Sequence, residues 1–133
     1  MNPVCLDRDR SREDRLAVLS WPALQERLRC TSPWEWPAHV IPWLMELTAP
    51  ITREGPTAQE DVDKLVDALV LVNALGRLHR TRTGSVQDAF RAVREVLFKA
   101  LRQRLSPQEV CTLLDTIDFE ARLLEQEVMA AVA

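Results

Sequence analysis

The stretch from Leu65 to Leu78 constrains this chain most. Only Asp67, Asn73, Gly76 and Arg77 interrupt a run of Leu, Val and Ala there. A helix that is apolar nearly all round is buried nearly all round. Other elements must therefore surround it. Those elements also read as helices. No sustained two-residue alternation occurs, and no Asn-Gly or Asp-Gly hairpin signal. The expected fold is an all-α, single-domain helical bundle, with an apolar central helix and three long helices in its second half.

Three start signals place those helices. Thr57 with Glu60, Ser85 with Asp88, and Ser106-Pro107-Gln108-Glu109 carry capping residues at the spacing of a helix start. They predict helices over about 58–82, 86–104 and 107–131. Shared helical phase makes Leu65, Leu69, Val72, Gly76, Phe90, Leu97, Leu114 and Ile117 the expected core. The last helix turns Val110, Leu113, Leu114, Ile117, Ala121, Leu124 and Val128 inward. Gly76 costs about 1 kcal/mol relative to alanine inside a helix, which a close helix–helix approach offsets.

Residues 1–10 are mixed in charge with nothing to bury and read as a disordered start. Residues 11–133 form the expected domain. Ser11 caps a first helix, and Pro22 opens a short one through Arg29 that carries Leu24 and Leu28. Residues 30–56 are rich in proline and tryptophan. Pro37 and Pro42 argue against one long regular helix there. The expectation is a short turn at 33–36, a helix over about 38–48 and an irregular segment packed on the bundle. Trp34, Trp36 and Trp43 then form a lid, or with Asn73 the lining of a ligand pocket.

Composition narrows the function classes. Net charge is −3, which argues against a general nucleic-acid binder. No apolar run approaches the roughly 20 residues that span a bilayer. The start lacks the apolar region of a signal peptide. Cys5, Cys30 and Cys111 are odd in number and widely spaced, which fits free thiols in a reducing cytoplasm. Cys5 is expected to react readily and Cys111 slowly, since Cys111 borders an apolar face. None of Cys30, Cys111, His39 and His79 lies at a metal-ligand spacing. No nucleophile elbow or phosphate loop is legible, so no catalytic, metal or cofactor site is expected.

Charge is segregated along the chain. Residues 76–104 hold eight Lys and Arg against Asp88 and Glu95, while 105–133 hold six acidic groups against Arg122. Within the basic part, Arg91, Arg94, Phe98 and Arg102 recur at steps of three and four. They form a candidate interaction stripe for an acidic partner or a second copy of the chain. The bland alternative packs Phe98 under the tryptophan segment. His79-Arg80-Thr81-Arg82-Thr83 is similar to the phosphoacceptor box of histidine kinases, but Arg80 stands where that box is acidic. His79 is thus an alternative phosphoacceptor or dimerisation-bundle residue, and that role needs it exposed.

Leu75-Gly76-Arg77-Leu78-His79-Arg80-Thr81-Arg82-Thr83-Gly84-Ser85-Val86 resembles a segment of the RsbRD-like amino-terminal domain. That family is the sensor-type helical domain of RsbT co-antagonist regulators in bacterial stress signalling. Its members read approximately Leu-Gly-Arg-Leu-Arg-Ala-x-x-Gly, followed by a helix that ends in a Leu/Trp-x-x-Leu step. Leu97-Phe98-Lys99-Ala100-Leu101 stands in that place here. The likeness covers about residues 60–130, and His79 stands where the family tends to have Arg. The resemblance implies a non-enzymatic sensor or adaptor that works through a protein partner.

Overall fold

The computed structural model describes residues 21–80 and 84–132. The disordered start, the helix capped by Ser11 and Cys5 lie outside the described residues. The described chain is all helical: α1 (Trp21–Arg27), a 3-10 turn (Pro33–Glu35), α2 (Trp36–Glu54), α3 (Gln59–Leu78), α4 (Ser85–Arg102) and α5 (Pro107–Val132).

The apolar run lies in α3, and α2, α4 and α5 all lie against it. Every residue from Leu65 to Val72 is buried, Asp67 included. Leu65, Leu69, Val72, Phe90, Leu97 and Ile117 are core, as their phase predicts. Leu114 is not; it is 42% exposed. The buried seam of α5 runs through Val110, Ile117, Ala121 and Val128, and Leu114 sits to one side of it. Gly76 is half-buried and makes no close helix approach. A Cβ there would lie 3.7 Å from Arg94 Nη1, an ordinary van der Waals distance, so the Arg94 guanidinium packs beside this position without requiring glycine.

The start signals differ in how they are used. At α5 the capping box forms in full: the Ser106 N–H donates to Glu109 Oε1 (2.9 Å) and the Glu109 N–H donates to Ser106 Oγ (3.1 Å). At α3 the box is displaced by one residue. Ala58 is the cap, and Asp61 Oδ2 accepts from the Thr57 N–H (3.0 Å) and hydroxyl (3.1 Å). At α4 Gly84 is the cap, at φ 72°, a left-handed conformation suited to glycine. Ser85 is already helical. Helix α3 stops at Leu78, four residues short of the predicted end, because His79 turns to φ −106°, ψ 26°.

The largest departure is α2. It runs 19 residues as one helix, with Pro42 and Pro50 inside it. Pro37 sits in the first turn, where no intrahelical N–H is needed. Pro42 and Pro50 lie on the exposed side, so the carbonyls they strand face water. The opposite side buries Val40, Leu44, Thr48 and Ile51, and that burial outweighs the lost hydrogen bonds. Cys111 also departs from expectation. Both Cys30 and Cys111 are exposed free thiols.

Candidate functional site

Helices α3, α4 and α5 leave a cleft of about 530 Å³ between them. Asn73, Gly76, Arg77 and Arg80 line it from α3 and the turn that follows. Gln87, Arg94 and Phe98 line it from α4, and Leu114 and Asp118 from α5. Helical spacing explains the selection. Steps of three, four and seven keep each set on one face of its helix.

The cleft is rich in guanidinium. Arg77 Nε donates to Glu125 Oε1 at 2.7 Å, and Arg80 Nη1 donates to Glu125 Oε2 at 2.9 Å. The Glu125 side chain is only 8% exposed, so one buried carboxylate fixes two arginines. Arg80 Nη1 also donates to the Arg77 carbonyl (2.8 Å), where the negative end of the α3 dipole favours a cation. Gln87 Nε2 donates to the His79 carbonyl at 2.8 Å and ties α4 to the end of α3. Asp118 Oδ2 accepts from Arg122 Nη2 at 2.6 Å.

Arg94 is different. It is half-buried and makes no hydrogen bond or ion pair among the described residues. Burial, and next the neighbouring Arg91 charge, push its pKa below the usual arginine value, while Glu95 opposes the shift. An arginine stays protonated under such a shift. The cleft therefore holds an inserted cation that no carboxylate among the described residues binds directly.

The predicted stripe divides in two. Arg94 and Phe98 enter the cleft and meet Asn73 there. Arg91 pairs with Asp88 on the surface (3.1 Å), and Arg102 is exposed. Phe98 is half-buried against the core rather than an exposed anchor. Among the described residues, the predicted pocket residues Trp36 and Asn73 line different cavities. Trp36 is buried, with its indole N–H donating to the Thr31 carbonyl at 3.2 Å. With Leu28 and Pro33 it walls a separate cavity of about 630 Å³, whose lining does not include Asn73. Trp43 is half-buried, with the Arg27 guanidinium 5.6 Å from its ring centre. Trp34 is 61% exposed and leans on His79 at 5.9 Å between ring centres.

His79 stacks in turn on Phe90 at 6.4 Å and is only 4% exposed. A phosphoacceptor imidazole must be reachable by its donor. The packing between two rings removes that access, so the structure disfavours the phosphoacceptor role. Sequence reasoning missed Arg77, Arg80, Gln87, Asp118 and Glu125. The available signal was Asp118 and Glu125 at a step of seven, two acidic residues on one face of the last helix against the basic end of α3.

Among the described residues, no group of His, Cys, Asp and Glu is placed to hold a metal ion, and no helix is long and apolar enough to cross a membrane. No protein-family model matches the chain, and no curated protein or solved structure matches it either.

Proposed function

We propose that this chain is a non-catalytic adaptor or sensor module that docks a helix of a partner protein on the outer face of α5. The observation that carries the reading is an apolar pair in solvent. Phe119 is 60% exposed and Leu123 is 50% exposed, one helical turn apart. They belong to a longer row. Thr112, Thr116, Phe119, Leu123, Gln126 and Ala130 alternate steps of four and three, and all are exposed. That is the spacing along which two helices pack. The row lies opposite the buried Ile117, Ala121 and Val128.

Charge selects the occupant. Asp115 and Glu127, both exposed, flank the row, and the only cation beside it, Arg122, is engaged by Asp118. A second α5 would bring like charges together. An amphipathic helix with Lys or Arg beside its apolar stripe fits instead. The same acidity is unsuited to nucleic acid. The RsbRD-like likeness of residues 75–86 supports a setting in bacterial stress signalling, in the cytoplasm.

The test uses two synthetic amphipathic helical peptides with one apolar stripe, flanked by Lys in one and by Glu in the other. Fluorescence anisotropy is expected to show saturable binding of the Lys peptide and at least about tenfold weaker binding of the Glu peptide. Phe119→Asp with Leu123→Asp removes the binding while circular dichroism stays unchanged. Equal binding of both peptides, or no effect of the double variant, overturns the reading. A dimer in light scattering that the double variant loses would make a second copy the occupant.

A further inference from the structure

We infer that the cleft between α3, α4 and α5 is a binding site for a phosphate monoester that carries a small apolar group. This inference is independent of the outer face of α5.

Charge sets the class of ligand. Four guanidiniums, from Arg77, Arg80, Arg94 and Arg122, stand in and beside the cleft against two carboxylates, from Glu125 and Asp118. The excess is two positive charges. A phosphate monoester carries about 1.5 to 2 negative charges near neutral pH. Its oxygens also match the planar fork of arginine better than a single carboxylate does.

The arginines are held rather than cancelled. Glu125 occupies one nitrogen of Arg77 and one of Arg80. Each guanidinium keeps further N–H donors, because arginine has five. A buried carboxylate that fixes two forks from behind lowers the ordering cost of binding an anion in front. Arg94 supplies the third fork. It lies beside Gly76 and makes no hydrogen bond or ion pair among the described residues, Glu95 acting on it only through its field. Partial burial makes an anionic partner more valuable to it than to a solvated arginine.

The walls set the rest of the ligand. Phe98 and the 42% exposed Leu114 offer apolar surface beside the forks. Asn73 supplies an amide that both donates and accepts. A volume near 530 Å³ lies in the range of small-molecule sites. An anion with a small apolar body uses all of these features, whereas bare phosphate leaves the apolar wall unused.

The experiment titrates the full chain with phenyl phosphate and with inorganic phosphate, followed by calorimetry and by NMR of the side-chain amides. Phenyl phosphate is expected to bind saturably at one site, tighter than inorganic phosphate. The Asn73 and Gln87 amides shift, and those of Gln25 and Gln126, outside the cleft, stay put. Arg94→Ala weakens binding about tenfold or more, while Arg91→Ala, on the exposed surface of the same helix, leaves it unchanged. A short phosphotyrosine peptide distinguishes the sources: tighter binding than phenyl phosphate assigns a protein-borne ester, and weaker binding a free small molecule. Absence of saturable binding at millimolar phenyl phosphate overturns the inference. So do shifts spread equally over all four amides. Should Arg94→Ala not fold, the amide map of the wild type decides alone.

Discussion

Helices α3 and α5 carry similar apolar content and meet opposite fates. In α3 even Asp63 and Asp67 are buried, whereas α5 leaves Leu114, Phe119, Leu123 and Met129 in solvent. The difference lies in their neighbours. Helix α3 is packed by α2, α4 and α5, while α5 lies mainly on α3 and only lightly on α4. A helix side is buried when another element reaches it, whatever residues it carries. Apolar residues on the side of α5 that no other described helix covers thus mark a surface, and carboxylates on the enclosed helix require internal partners. Gln59 Nε2 donates to Asp63 Oδ1 at 3.0 Å in that way.

The largest expected effect tests this contrast directly. Leu69→Ala in α3 should destabilise the fold by about 2–5 kcal/mol, since it empties a fully enclosed site. Leu123→Ala in α5 should stay within about 0.5 kcal/mol. Urea unfolding of both variants measures the pair, and equal losses would erase the distinction between the helices. A smaller effect is expected where the two helices are joined. Glu125→Ala removes charge-assisted hydrogen bonds to Arg77 and Arg80, at about 1–3 kcal/mol. No change in the urea midpoint would show that this bridge leaves the α3–α5 seam unaffected.

Acid separates the starts of the same helices. The Thr57 N–H holds the Asp61 carboxyl below its usual range, and the Ser106 N–H does the same for Glu109. Both pKa values are lowered in the folded state. The stability they contribute is present above the unfolded carboxylate range, near ~4, and is lost as pH falls through the folded values. Asp61→Asn with Glu109→Gln should flatten part of the fall in melting temperature on acidification. A slope identical to wild type would leave these caps without a role. The smallest effect touches no stability at all. Cys30 and Cys111 should label with a thiol reagent at similar fast rates in the native protein, since both are exposed. Slow labelling of Cys111 would move the first turns of α5 into the core.

The helical class, the central helix and the α5 start were legible because each rests on local spacing. Residues 65–78 are apolar at every phase, and Ser106-Pro107-Gln108-Glu109 needs only its own four residues to form its box. The cleft was legible in fragments. Arg94 and Phe98 were singled out together and Asn73 apart from them, but their meeting depends on how α3 and α4 pack, which no local pattern encodes. Glu125 was hidden for the same reason: its partners lie 48 and 45 residues away. Leu114 and Cys111 were misplaced because helical phase gives the centre of a buried face but not its width. The width is set by the neighbour. Tryptophan clustering misled in another way. Three indoles close in sequence lie on a turn and a helix, and their rings point to different partners.

The prolines of α2 bear on the order in which the molecule assembles. Pro42 and Pro50 each remove an amide from the helical ladder, at a cost of about 3 kcal/mol in a helix interior. An isolated segment of this sequence has nothing to offset that cost, since nucleation is already unfavourable. Helix α2 therefore exists only where Val40, Leu44 and Ile51 find a finished surface to cover. The expected order is that α2 docks after α3 has paired with its other neighbours. Leu44→Ala is expected to speed unfolding and leave the refolding rate almost untouched, and a matching fall in the refolding rate would place α2 in the folding nucleus instead.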